Sequence, residues 1–176
     1  MEHKIIFTGP VGSGKTTAIS AISDIPVVKT EANASDEVVL RKSNTTVAMD
    51  YGQLHLGNNS KVHLYGTPGQ ERFSFMWDIL TIGGLGLVVM IDNAREDPVA
   101  DLSFFLDAFK DFITRNAVVI GISRMDLSPR PGLFTHMKKL SEQGFNVPVF
   151  EVDARERKDI KILLLSLLAV LDPGAS

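Results

Sequence analysis

A chain of 176 residues and 19.2 kDa, with 44% hydrophobic and 22% charged residues, has the size and composition of one globular domain with an ordinary buried core. Its net charge of −3 gives no electrostatic reason for nucleic-acid or anionic-membrane binding. With no cysteine it has no disulfide, no thiolate nucleophile and no cysteine-ligated zinc.

Met1 to Phe7 lacks the apolar run of a signal peptide, and the tail Asp172 to Ser176 has no prenylation cysteine. The longest nearly apolar run, Ile162 to Leu171, is far short of the roughly 20 residues that span a bilayer. A cytoplasmic protein without a membrane anchor is the expectation.

Ile5 to Thr8 is a short apolar run that stops at Gly9. Val47 to Leu56 and Val62 to Tyr65 flank the turn sequence Gly57-Asn58-Asn59-Ser60 and predict a hairpin. Leu85 to Ile91 carries only apolar or glycine residues, as a strand buried on both faces does, and Val118 to Ile122 and Val147 to Val152 are similar. Leu102, Phe105, Leu106, Phe109, Phe112 and Ile113 recur at helical spacing, as do Ile160, Leu163, Leu164, Leu167, Leu168 and Leu171. Strands alternating with helices predict a mostly parallel sheet of about six strands, with helices on both faces and one antiparallel edge strand from the hairpin. In such sheets ligands bind beyond the carboxyl ends of the strands.

The residues after the first strand are Gly9-Pro10-Val11-Gly12-Ser13-Gly14-Lys15-Thr16, which fit the phosphate-loop pattern G-x-x-x-x-G-K-[ST]. Glycines let successive N–H groups turn inward on phosphate oxygens, and a helix beginning near Lys15 points its positive end at the anion. Lys15 supplies a charge to the outer phosphates and the Thr16 hydroxyl is a hard oxygen for Mg²⁺. Gly12, Ser13, Gly14, Lys15, Thr16 and Thr17 are the expected phosphate contacts.

A second cluster, Tyr65-Gly66-Thr67-Pro68-Gly69-Gln70-Glu71-Arg72-Phe73, resembles the second switch of small Ras-like GTPases. Thr46-Val47-Ala48-Met49-Asp50-Tyr51 resembles their first switch, Ser123-Arg124-Met125-Asp126 stands where N-K-x-D reads guanine, and Asp153-Ala154-Arg155 stands where S-A-K completes the base pocket. The motifs come in family order along nearly the whole chain. Thr16 and Thr46 are 30 positions apart, beyond the Ras spacing, and Pro68 precedes Gly69. Both features resemble the bacterial gliding-motility and cell-polarity GTPases.

The resemblance implies one Ras-like domain over residues 1–176 that binds GTP or GDP with Mg²⁺ and hydrolyses GTP slowly. Gln70 would orient the attacking water, the Gly69 N–H would meet the γ-phosphate, and Thr16 and Thr46 would ligate Mg²⁺. Asp126 would pair with guanine N1–H and its amino group. The Ala154 N–H would meet the guanine carbonyl, the Arg124 stem would cover the base, and Arg155 would complete the pocket. An exchange factor, effectors and an activating partner, of roadblock type in the bacterial relatives, are implied as well.

Four departures qualify the resemblance. Gly66 replaces the aspartate that holds Mg²⁺ through water, so Asp50, or after it Asp92, is a candidate to fill in; the plain alternative for Asp50 is a solvent-facing strand aspartate. Val11 stands where Ras has glycine and would crowd Gln70. Ser123 and Arg124 replace Asn and Lys. No arginine is assigned to transition-state charge, although Arg41 lies in the long first-switch segment. A nucleotide-binding scaffold without hydrolysis is the first rival reading, which Gly66 and Val11 favour. A P-loop ATPase or small-molecule kinase is the second, which Gly69-Gln70 and Asp126 oppose.

Phe73, Met76, Trp77 and Leu80 share one helical face that fits a core, whereas Phe75 and Ile79 lie off it and would form a partner surface if exposed. Leu133, Met137 and Leu140 make a helical stripe read as core. The four histidines show no metal-ligand spacing and are read as structural or surface residues.

Overall fold

Alternation along the first strand, β1 (Glu2–Thr8), sets the layers: Ile5 and Phe7 enter one core and Ile6 the other. The computed structural model describes residues 1–33, 46–57 and 59–171. β1 lies in the middle of a seven-stranded sheet with the order β2-β3-β4-β1-β5-β6-β7. The other strands are β2 (Val28–Asn33), β3 (Thr46–Leu56), β4 (Ser60–Gly66), β5 (Gly86–Asp92), β6 (Ala117–Ser123) and β7 (Val149–Val152). β1 is parallel to β4 and β5, and β5–β6–β7 continue in parallel. β3 runs antiparallel to both β2 and β4.

The sheet has one strand more than the apolar pattern predicts. Val28–Asn33 pairs with the outer half of β3, from Val28 opposite Tyr51 to Asn33 opposite Thr46. As an edge strand of sequence VKTEAN it has only one row of partners and no continuous apolar run. The antiparallel edge is therefore β2, and the predicted hairpin strand β3 is internal.

Helices cover both faces. On one, α1 (Lys15–Ile22) and α6 (Arg157–Leu171) pack Ala18, Ile19, Leu163 and Leu167 against Phe7, Val88 and Met90. On the other, α2 (Phe75–Thr81), α3 (Pro98–Ala108) and α5 (Leu133–Glu142) bring Trp77, Leu102, Phe105, Leu106 and Leu140 against Ile6, Val89 and Ile91. α3 begins with Pro98 behind an Asp97 cap whose side chain accepts the Ala100 N–H at 2.9 Å, a feature worth about 1 kcal/mol. The helix predicted to run to Ile113 breaks at Phe109 (φ −101°, ψ 14°) and resumes as the short α4 (Lys110–Ile113). In α5 the stripe read as core holds at Leu140 and at Leu133, which packs against the core, and is corrected at Met137. Leu140 is buried, but Met137 is 53% exposed, because the inward position of that turn belongs to His136. Among the described residues no helix is long and apolar enough to cross a membrane.

Candidate functional site

Five loops leave the carboxyl ends of β1, β4, β5, β6 and β7 on the same side of the sheet, as parallel strands require. The first is the glycine-rich loop. Gly9 has φ 143°, and a Cβ there would lie 2.0 Å from the Met90 carbonyl oxygen, so only glycine lets the loop turn this close to β5. Gly14, left-handed at φ 96°, is the N-cap of α1, whose first turn carries no acidic residue. The helix end therefore keeps its positive character for an anion.

Lys15 folds back over the loop. Its Nζ donates to the carbonyls of Gly9 and Pro10, both at 2.7 Å, with Ser13 Oγ at 3.4 Å. It is buried, and that burial pushes the ammonium down to about 8; Asp50 opposes the shift and Arg95 adds to it. The Thr16 hydroxyl, at the open side of the loop, donates to Asp50 Oδ2.

The segment after β4 closes onto this loop. The Thr67 and Thr8 hydroxyls are 2.8 Å apart, and the Trp77 indole N–H donates to the Pro68 carbonyl at 2.9 Å. Gly69 lies against the phosphate loop so closely that a Cβ would sit 2.5 Å from the Val11 nitrogen. Gln70 is exposed, just before the 3-10 turn Glu71–Phe73, and Val11 is 53% exposed at the rim. The Arg95 guanidinium links the Val11 carbonyl, at 3.4 Å, to the Asp101 carboxylate, at 2.6 Å.

Beside the loop opens a cavity of about 330 Å³. Ser13, Gly14 and Thr17 line one wall, Ser123, Arg124, Asp126 and Leu127 another, and Asp153, Ala154 and Arg155 a third. A Cβ on Gly14 would touch Ala154 Cβ at 3.0 Å, so two segments 140 residues apart in the chain form one corner. The Ser123 hydroxyl lies 3.1 Å from the Ser13 carbonyl and 3.2 Å from that of Ile91, fastening the end of β6 to the phosphate loop. Arg124 is left-handed (φ 58°) and donates to Asp92 Oδ2 at 2.9 Å. Arg155 holds Asp153 through three bonds of 2.7–2.9 Å, and these hydrogen bonds lower the Asp153 carboxyl to about 2.

The structure thus brings Gly12, Ser13, Gly14, Lys15, Thr16, Thr17, Gly69, Arg124, Asp126, Ala154 and Arg155 to one end of the sheet, with Gln70 at its margin. Thr46 starts β3 opposite Asn33, and its side chain, like all of Arg41, lies outside the described residues. Asp92 is corrected as a candidate metal carboxylate: it is buried, with Arg124 on one oxygen and the Ala94 N–H on the other.

Sequence reasoning missed Asn93. Its amide donates to the carbonyls of Ser128 (2.7 Å) and Pro131 (2.9 Å) and its oxygen meets His136 Nε2 (2.8 Å), anchoring the loop that carries Asp126. Its only signal is a polar residue directly after the buried strand. Phe75, Ile79 and Ile82 are 39%, 56% and 72% exposed, whereas Met76, Trp77 and Leu80 of the same region are buried.

Residues 7–168 match the protein family described as conserved hypothetical ATP binding protein. An uncharacterized protein of Methanocaldococcus jannaschii is 32% identical over 94 residues, covering 53% of this chain and 53% of the relative. A GTP-binding nuclear protein of Encephalitozoon cuniculi is 23% identical over 171 residues, covering 97% of this chain and 76% of the relative. The Ras-related protein Rab-18-B of Danio rerio is 28% identical over 116 residues, covering 66% and 52%. The chain thus spans about half the length of the archaeal and Rab relatives and three quarters of the nuclear one.

Proposed function

The chain belongs to the family of conserved hypothetical ATP binding proteins, as a nucleotide-binding P-loop NTPase distantly similar to Ras-related proteins, and from that premise we propose that it is a guanine-nucleotide switch. It binds GTP and GDP and hydrolyses GTP slowly. The observation that carries the reading is the Asp126 carboxylate on the wall of a cavity continuous with the phosphate loop. A carboxylate there accepts two hydrogen bonds from guanine N1–H and its amino group; adenine presents no such donor pair.

The remaining roles follow from placement. N–H groups from Gly12 to Thr17, with Lys15, hold the phosphates. The Arg124 stem covers the base, the Ala154 N–H meets the guanine carbonyl, and Arg155 closes the rim. Gly69 senses the γ-phosphate through its N–H, and Gln70 orients water for in-line attack. Mg²⁺ fits the donors present, since the Thr16 hydroxyl and the Asp50 carboxylate are adjacent hard oxygens beside the phosphate loop. It would neutralise charge on the phosphates, with Thr16 and, in the triphosphate state, Thr46 among its ligands. Exchange factor, effector and activator, including one of roadblock type, would read the loops around Gly69 and the exposed Phe75 and Ile79. The spacing from Thr16 to Thr46 and Pro68 before Gly69 support a place near the bacterial motility and polarity branch.

The first test is the nucleotide that co-purifies with the protein, followed by competition of ATP against GTP. Guanine nucleotide held at least tenfold more tightly is the expected result; equal or tighter adenine binding refutes the reading. Val11 at the rim and the missing side chain at Gly66 favour a second reading, a scaffold that binds GTP without turnover. Single-turnover hydrolysis that no candidate activator accelerates would select it.

A further inference from the structure

We propose that Asp50 supplies the metal-shell carboxylate of the phosphate site, delivered from β3 in place of the side chain that Gly66 lacks on β4. The inference deepens the reading above and rests on nucleotide being bound with a divalent cation.

The register of the sheet makes the exchange possible. Asp50 and Gly66 are direct partners across the β3–β4 ladder. A Cβ added to Gly66 would come 3.2 Å from Asp50 Cβ and 3.4 Å from its Oδ2. The Asp50 carboxylate therefore occupies the space that a side chain from residue 66 would enter. A carboxylate delivered from either strand reaches the same region; here it comes from the neighbour.

The partner of that carboxylate points the same way. Oδ2 accepts the Thr16 hydroxyl, the group directly after the phosphate-loop lysine. Asp50 also lies within Coulombic reach of the Lys15 ammonium, which a phosphate would meet. Asp50 is half-buried and Thr16 exposed, so water and a hydrated cation have access. Mg²⁺ keeps most of its waters and takes one or two carboxylates or hydroxyls together with phosphate oxygens. Asp92, the other aspartate weighed for this role, is engaged by Arg124.

The charge balance separates this role from a structural one. Without a cation, a carboxylate beside phosphates repels them; with one, it strengthens their binding. Neutralising Asp50 must therefore weaken cation binding without weakening metal-free nucleotide binding.

The experiment follows release of a fluorescent GDP analogue as Mg²⁺ is titrated from EDTA upward. In the unaltered protein Mg²⁺ is expected to slow release. Asp50→Asn, which keeps the Thr16 partner and the shape, is expected to raise the Mg²⁺ midpoint by about tenfold or more. Its release in EDTA should be no faster than that of the unaltered protein. The exchanged pair Asp50→Gly with Gly66→Asp should bring the midpoint most of the way back; the closest obstacle to the new Cβ is the flexible end of Ile19, at 3.1 Å. An unchanged midpoint in Asp50→Asn overturns the proposal while leaving the switch reading intact. Equal acceleration of release with and without Mg²⁺ in that variant overturns it too, by assigning Asp50 a structural role. If the unaltered protein holds GDP with no response to Mg²⁺, the proposal falls and guanine binding survives. If it holds no guanine nucleotide, both fall. Should the exchanged pair fail to fold by circular dichroism, Asp50→Asn alone decides.

Discussion

Nucleotide binding is expected to draw in a proton through Lys15. In the free protein Lys15 is 8% exposed, and burial lowers its ammonium from 10.5 to about 8. Each tenfold change in proton affinity is worth about 1.4 kcal/mol, so the loop disfavours the charged form by about 3 kcal/mol. Phosphate oxygens against Nζ restore what burial removes, the pKa rises, and the site takes up a proton. At about pH 8 roughly half of the free protein has Lys15 charged, so binding takes up about half a proton; near pH 9 it takes up about 0.9. The apparent Kd should weaken by about tenfold between roughly pH 7 and pH 9.

Stability of the nucleotide-free protein carries the opposite sign. Unfolded Lys15 titrates at 10.5, so between about 8 and 10.5 the unfolded chain holds more protons and this contribution to stability rises with pH. Calorimetry of GDP binding in EDTA, in two buffers of different ionisation heat, counts the protons directly. The last phosphate ionisation, near pH 6, is complete before this window and does not contribute. Heats that are independent of buffer at about pH 8.5 would refute the argument.

Asp126→Ala should weaken GDP by about 30-fold, the loss of a charge-assisted pair worth about 2 kcal/mol, and leave ADP unchanged; competition binding reads both, and equal losses would place Asp126 outside base selection. Gly69→Ala sets a methyl 2.5 Å from the Val11 nitrogen, so the segment after β4 cannot seat on the phosphate loop. Its GDP affinity should persist while the difference in Trp77 emission between GDP and a GTP analogue disappears; a preserved difference counts against seating. Burial lowers the His136 imidazole below 6.5, and among the described residues its buried Nδ1 has no hydrogen-bond partner. The unfolded chain then gains a proton first as pH falls through 6.5, so stability drops below that pH. His136→Gln should flatten the dependence in urea melts, and an unchanged slope would assign it to other groups.

The central strands were legible because burial on two faces leaves no room for polar residues: β5 and β6 are almost wholly apolar or glycine, and both are buried throughout. The phosphate loop was legible because its backbone demands glycine at fixed places. β2 was not, since an edge strand needs only ladder bonds and tolerates Lys29, Thr30 and Glu31. The break at Phe109 was hidden because an aromatic side chain suits helix and core alike, and Phe109 itself is buried. The relation of Asp50 to Gly66 was legible only as a missing carboxylate and a short list of substitutes. Register across two strands decides it, and no local pattern encodes register. The same holds for Asp92, whose pairing with Arg124 spans 32 positions.

With the nucleotide seated as proposed, the Ser123 hydroxyl, caught between the carbonyls of Ser13 and Ile91, would make the grip on its two ends a single mechanical unit. Displacing the base would tug the loop beneath the phosphates, and loosening that loop would slacken the purine seat. A protein that pried at either edge would therefore have leverage over the whole ligand, and need never reach the centre of the cleft to empty it.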